Sequence, residues 1–182
     1  MNKLTGVLLI FVCALNPAQA ITIQFDQPGK SVGIGDPFSL TVLGFDFPST
    51  IGGGIDLSFD PSVVNIAAVT MNTALFEFSD PGTVDNTAGT LTDAYFNSLA
   101  APSGDLEFMT IDFIATGAGT TQLVLAEGAL AVFSDDNANQ FGDQIDFVSS
   151  TVTVTAVPLP AAAWLMMSGI GVLGALARRL NS

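Results

Sequence analysis

Histidine is absent from this chain, and its single cysteine, Cys13, lies in an apolar run near the N-terminus. Without histidine or a second cysteine, the sequence has no Ser-His-Asp triad and none of the usual zinc sites. Removal of the N-terminal run would leave no thiol at all, so the fold cannot depend on disulfides. The catalytic chemistry that stays open is a pair of carboxylates, the arrangement that hydrolyses glycosides.

Basic residues are also scarce, because the chain has 4 Lys and Arg against 17 Asp and Glu. All 17 acids lie within residues 21–155, where Lys30 is the single basic residue, and this stretch therefore has a net charge of −16. Such a charge repels nucleic acid and anionic lipid, which we exclude as partners. The same stretch contains 13 of the 14 phenylalanines, which favours a packed core over a disordered acidic chain.

Residues 1–20 have the pattern of a secretory signal peptide. Lys3 provides a positive charge, residues 4–15 form the apolar run, and Ala18 and Ala20 are the small residues of a cleavage site. We expect cleavage before Ile21 and export of the remainder.

The C-terminal stretch, residues 156–182, is predicted to be a separate segment. Residues 161–177 contain no charge, and as a helix they would span about 25 Å, close to the roughly 30 Å of a hydrocarbon core. Basic residues at its end favour the cytoplasmic side of a membrane. The pattern predicts a transmembrane helix that leaves the long N-terminal part outside.

Short motifs border this helix: Val157, Pro158, Leu159 and Pro160 precede it, and Arg178 and Arg179 follow it. This order resembles the PEP-CTERM sorting signal of Gram-negative bacteria in its VPLP variant. The resemblance implies processing by an exosortase, a membrane cysteine protease, after export through the inner membrane. It also implies later release or attachment at the cell surface or extracellular matrix, and association with exopolysaccharide. Leu159 replaces the usual glutamate, which leaves the sortase subtype open.

Residues 21–155 alternate apolar and polar side chains, with turn residues between the runs. This pattern predicts about nine or ten strands, no helix before residue 161, and an antiparallel β-sandwich. In the run 106–114, Leu106 and Phe108 fall on one face and Met109 and Ile111 on the other. We therefore expect a central strand that is covered on both faces.

Several of these runs resemble the cohesin and cohesin-like domains. They are residues 32–42 (VGIGDPFSLTV), 54–64 (GIDLSFDPSVV), 106–113 (LEFMTIDF), 119–123 (GTTQL) and 152–154 (VTV). The resemblance implies an all-β, cohesin-like jelly-roll sandwich of about nine strands over residues 21–155. It also implies non-catalytic binding of a protein partner, although no dockerin-contact residue is matched.

Oxygen-bearing side chains recur in one stretch at the offsets of a calcium-binding loop. Its sixth position is Gln140 instead of glycine, and no helices flank it, so a solvated Asn/Asp turn is the alternative interpretation. The candidate calcium ligands are Asp135, Asn137, Asn139, Asp143 and Asp146.

These patterns predict a secreted, exosortase-sorted protein of the cell surface or matrix. Its cohesin-like domain would bind a protein or an exopolysaccharide, for example in biofilm or floc formation, and would not be an enzyme. The alternative is a glycan-active hydrolase that uses two of the carboxylates, which predicts a cleft with one raised carboxyl pKa.

Overall fold

A computed structural model describes residues 20–156 of the chain. Residues 1–19 of the predicted signal peptide and residues 157–182 of the predicted sorting signal lie outside the described residues. Between residues 20 and 156, no helix is long and apolar enough to cross a membrane. The predicted C-terminal helix therefore stays a prediction.

The described chain consists of strands and one short turn of 3-10 helix, Gly142–Gln144. The described residues form thirteen strands, where the sequence predicted about nine or ten; nine of them have five or more residues, and four have two or three. The strands are β1 (Ile21–Phe25), β2 (Gly29–Gly33), β3 (Pro37–Phe47), β4 (Thr50–Ser58), β5 (Val64–Met71), β6 (Phe78–Asp80), β7 (Thr83–Asp85), β8 (Thr90–Asn97), β9 (Gly104–Ala115), β10 (Gly119–Glu127), β11 (Ser134–Asp135), β12 (Ile145–Phe147) and β13 (Ser150–Thr155).

Two sheets form the sandwich. The smaller sheet has the order β12-β1-β3-β9-β5, and the larger has β2-β13-β10-β4-β8-β6, with β11 beside β4 and β7 beside β8. Neighbours are antiparallel except β1 with β12 and β2 with β13, which are parallel. The sequence predicted antiparallel pairing alone, and it misses these two pairs because they join strands from opposite ends of the domain.

Phenylalanine rings fill the space between the sheets. Phe96 lies 4.5 Å from Phe76 and 4.8 Å from Phe108, measured between ring centroids, and Phe133 packs against the same group. All four side chains are fully buried. Burial of the apolar surface of each ring stabilises the fold by roughly 2–3 kcal/mol. This cluster therefore stabilises the contact between the two sheets.

Strand β9 does not have the two covered faces that the alternation predicted. Against β3, Val42 pairs with Met109 and Leu43 with Glu107, which leaves Phe108 as the extra residue of a β-bulge. The bulge resets the alternation, so Phe108 and Met109 are both buried while Ile114 is exposed. Apart from Ile114, the apolar residues of both predicted faces therefore enter one core, and the other face of β9 is open.

The end of strand β13 and the segment 128–134 lie at opposite ends of the sandwich. Strand β13 ends at Thr155, whose carbonyl accepts a hydrogen bond from the N–H of Ile34. Strand β10 pairs Gly119 with Val154 at this end and extends to Glu127 at the other. At about 3.3 Å per residue, the two ends of β10 are roughly 26 Å apart. The chain therefore continues beyond residue 156 from the end opposite to the segment 128–134.

Candidate functional site

The outer face of the larger sheet contains an open groove of about 400 Å³. We call it the glycine groove, because two glycines of β4 form its floor. Strand β8 provides one wall, and the segment between β10 and β11 provides the other. Its main residues are Gly52, Gly53, Tyr95, Asn97, Leu130 and Val132.

The floor requires glycine because neighbouring groups occupy the space of a side chain. A Cβ on Gly52 would overlap the Asn97 side chain, and a Cβ on Gly53 would lie 2.6 Å from the Phe133 ring. A Cβ on Gly54 would lie 2.9 Å from the carbonyl oxygen of Ala131. Gly53 and Gly54 therefore let the segment 128–134 approach β4 closely, and Gly52 leaves room for the Asn97 side chain of β8.

A β-bulge in β8 brings Tyr95 to the groove. Ile55 pairs with Ala94 and Leu57 with Leu91, so β8 has one residue more than β4 in this interval. Asp93 takes the left-handed φ of 61°, and its N–H donates to the Asp56 carboxylate at 2.8 Å. Because of the extra residue, Leu91 and Ala94 both face the core and Tyr95 faces outward.

Exposed apolar side chains border the groove. Phe78 of β6 pairs with Asn97, and Asn97 pairs with Gly52, so these residues form one row across the outer face. Phe78 is 57% exposed and Leu130 76% exposed. Exposed apolar side chains that lie together in this way commonly mark an interaction surface.

Two acidic residues, Asp80 and Glu77, are neighbours of residues on this apolar surface. Asp80 pairs with Tyr95 across β6 and β8. Glu77 accepts hydrogen bonds from its own backbone N–H, from the Ser98 hydroxyl and from the N–H of Leu99, and these bonds lower the pKa of Glu77. The single lysine of the described residues, Lys30, lies on β2 at the far edge of the same sheet. The groove is therefore lined by apolar side chains together with Asn97 and Ser134, and acidic residues lie next to it on β6 and directly before that strand.

The predicted calcium ligands are distributed over three elements. The Asp135 carboxylate accepts hydrogen bonds from Asn139 Nδ2 (2.9 Å), Asn139 N (2.7 Å) and Asn137 N (2.9 Å). These bonds, that from the Asn139 side chain first, lower the pKa of Asp135. Asp143 lies in the 3-10 helix and Asp146 in β12 of the smaller sheet. Within residues 20–156 no three His, Cys, Asp or Glu side chains form a metal-holding group, and calcium binding stays a prediction.

A second open groove, of about 380 Å³, contains two carboxylates, Glu127 and Asp143. One oxygen of Glu127 accepts the N–H of Phe133 at 2.9 Å, which fixes that side chain structurally. The predicted hydrolase requires a carboxyl group with a raised pKa as its general acid. The clear pKa shifts among the described carboxyl groups are downward. The groups with a lowered pKa are Asp60, Glu77, Asp85 and Asp135.

The sequence interpretation did not identify the glycine groove. The one local signal was the run of glycines at residues 52–54, which is unusual inside a strand and indicates close approach of another backbone. The positions of Tyr95 and Leu130 depend on a bulge and on a long-range loop contact, which the local pattern does not contain.

Comparison with solved structures shows which fold this chain is similar to. No protein-family model matches the chain, and no curated protein matches it. Among solved structures, CaCohA2 of Clostridium acetobutylicum has 20% identity and a TM-score of 0.58, over 75% of this chain and 92% of that one. The cohesin of OlpA from Clostridium thermocellum, solved in a complex with the dockerin Doc918, has 13% identity and a TM-score of 0.60, over 74% and 99%.

A non-cellulosomal cohesin of the archaeon Archaeoglobus fulgidus has 16% identity and a TM-score of 0.58, over 75% of this chain and 90% of that one. The chain is thus an all-β sandwich with the cohesin fold, as the sequence resemblance predicted. At these identities the likeness concerns the fold alone.

Proposed function

We propose that this chain is a non-catalytic binding protein of the cell surface that captures a protein partner at the glycine groove. The observation that carries the proposal is the pair of exposed residues Phe78 and Asn97 on neighbouring strands, with Tyr95 and Leu130 beside it. Similar folds support it, since one neighbouring cohesin was solved with a dockerin bound.

The predicted sorting signals complete the proposal. A signal peptide would export the chain, and an exosortase would process the segment at residues 157–160, in cells that produce exopolysaccharide. The chain leaves the sandwich after Thr155, roughly 26 Å along β10 from the groove end. An anchor that follows this point would leave the groove on the side facing away from the membrane, where a partner in a biofilm or floc could reach it.

The binding function is tested with immobilised full chain and extracts of the producing cells. We expect one protein to be captured by the wild type and lost in the variant with Tyr95→Ser and Leu130→Ser. Ile114→Ser is the matched control, because Ile114 is an exposed apolar residue on the other sheet. Equal capture by both variants would move the binding site away from the groove.

The exopolysaccharide and hydrolase alternatives are resolved with the same preparation. Purified exopolysaccharide retained by the wild type, in place of a protein, would change the partner class. Release of new reducing ends from that polysaccharide, lost in Glu127→Gln or Asp143→Asn, would support the hydrolase.

The export proposal has its own test in the producing cells. N-terminal sequencing of the exported protein should begin at Ile21, and Pro158→Ala with Pro160→Ala should leave the C-terminal segment unprocessed. An unchanged mass in the variant would contradict exosortase processing at this motif.

A further inference from the structure

We propose that the glycine groove selects a protein segment in which lysine or arginine flanks an apolar side chain. This inference rests on the proposed binding function and adds the chemistry of the partner. It follows from three observations on the described residues: the apolar side chains of the groove, the carboxylates near it, and the net negative charge of the domain.

A partner can pack against side chains in the groove, but the backbone of β4 beneath them is already paired with neighbouring strands. Strand β4 pairs with β8 on one side and with β10 and β11 on the other. A partner therefore cannot add a strand at this floor, because the ladder hydrogen bonds of β4 are already made. The exposed apolar side chains that line the groove are those of Tyr95, Leu130 and Val132, and an apolar side chain of the partner would be buried favourably against them.

The border provides carboxylates on both sides of this floor. Asp80 lies beside Tyr95, and Glu77 precedes Phe78 in the chain. On the opposite side, Val132 lines both the glycine groove and the neighbouring groove that contains Glu127 and Asp143. An apolar side chain seated on the floor would thus have carboxylates on either side of it, where cations of the same segment could reach them.

The charge balance of the domain points to the same partner. Residues 20–156 contain 17 acids and one lysine, Lys30, three strands away from β4 at about 14 Å. A second copy of this chain or a polyanion would meet repulsion at this face. A cationic partner would be steered towards it, and the steering would weaken with added salt.

The test uses the full chain and synthetic peptides in calorimetric titrations. In the first peptide lysines flank a pair of leucines, in the second serine replaces each leucine, and in the third glutamine replaces each lysine. We expect the first peptide to bind at least roughly tenfold more tightly than the others, an effect typical of one central contact.

The groove variants make the test specific. Tyr95→Ser with Leu130→Ser should weaken the first peptide roughly tenfold, and Asp80→Asn with Glu77→Gln should weaken it and reduce its salt dependence. Asp105→Asn with Glu107→Gln, which removes two acids of β9 on the other sheet, is the matched control and should bind like the wild type. Circular dichroism of every variant checks that it is folded.

Each outcome separates this inference from the proposed function. Equal binding of the serine peptide would mean that any polycation suffices, and the inference would be wrong. Equal binding of the glutamine peptide, lost in the Tyr95 and Leu130 variant, would keep the groove as the binding site and reject the cationic partner. Binding that no groove variant changes would overturn both.

Discussion

The carboxylate of Asp56 accepts a hydrogen bond from the backbone N–H of Asp93 at 2.8 Å. The bond lies where β8 has its extra residue and where Asp93 has a φ of 61°. Because the bulge reverses the alternation of β8, this one contact helps to determine that Tyr95 faces the groove instead of the core. An acid on β4 thus stabilises the strained backbone that presents the one tyrosine of the chain.

Asp56→Ala should loosen this bulge. The N–H of Asp93 would lose its acceptor, and we expect a loss of about 1–2 kcal/mol in the free energy of unfolding, together with weaker binding at the groove. Asp56→Asn is the control, because its amide oxygen can still accept the bond. Urea denaturation of both variants provides the measurement, and equal stability of all three proteins would contradict the assigned role.

The bulge in β9 can be tested by comparing Phe108 with Ile114. Simple alternation places both on the same face of the strand, whereas Phe108 is fully buried and Ile114 is 42% exposed. Phe108→Ala should cost about 3–5 kcal/mol, as expected for a buried ring. Ile114→Ala should cost less than about 1 kcal/mol. Similar losses in guanidinium denaturation would mean that β9 has no bulge.

The open edge of the smaller sheet is covered by a side chain. The N–H of Ile66 donates to Asn86 Oδ1 at 2.8 Å, and Asn86 Nδ2 donates to the carbonyl of Ile66 at 2.9 Å. The amide thus makes the two bonds that a further strand would make to β5. Asn86→Ala should cost about 1–3 kcal/mol, and it should increase aggregation because the edge becomes available for pairing.

Light scattering at increasing protein concentration measures the aggregation. Asn137→Ala is the matched control, since its side chain bonds only the neighbouring Asp136 carboxylate in an exposed turn. Aggregation of both variants to the same degree would show that Asn86 has no special role at the edge.

Acid should remove the contribution of Asp60 to stability. Hydrogen bonds from the Ser62 hydroxyl, and then from the Ser62 N–H, lower the pKa of Asp60 below its usual value of 3.8. A lowered pKa in the folded state stabilises the protein above pH 3.8, and this stabilisation is lost as the pH falls through the folded-state pKa. The stability difference between wild type and Asp60→Asn should therefore be largest near neutral pH and disappear in strong acid.

Thermal unfolding between neutral pH and strong acid measures that difference. Ser62→Ala serves as the control, because it removes the largest cause of the shift and should reduce the pH-dependent part. A difference that does not vary with pH would contradict the assignment to Asp60.

If the candidate ligands from Asp135 to Asp146 bind calcium, the midpoint of thermal unfolding should rise with calcium concentration, because the ion stabilises the folded state. The rise should disappear with chelator and in the Asp135→Ala and Asn137→Ala variants. An equal midpoint in calcium and in chelator would leave Asp135 as the acceptor of an Asn/Asp turn, with its hydrogen bonds to Asn137 and Asn139 as its whole role.

The sequence by itself determined the class of this protein. Alternation between turn residues predicted a β-sandwich over residues 21–155, and the described residues form two packed sheets. The phenylalanines between residues 21 and 155 predicted a packed core, which is where Phe76, Phe96, Phe108 and Phe133 lie. These predictions succeed because strand periodicity and burial of large apolar side chains depend on neighbours within a few residues.

The tertiary structure alone decided which faces are open. An extra residue at Phe108 reverses the alternation of β9, and one beside Asp93 reverses that of β8, and each depends on the partner strand. The parallel pairs β1–β12 and β2–β13 join residues more than 100 positions apart. The glycine groove exists because the segment 128–134 crosses Gly54, a contact of distant residues. Such contacts lie outside any local window, so only the folded chain could place Tyr95, Leu130 and the surrounding acids on one surface.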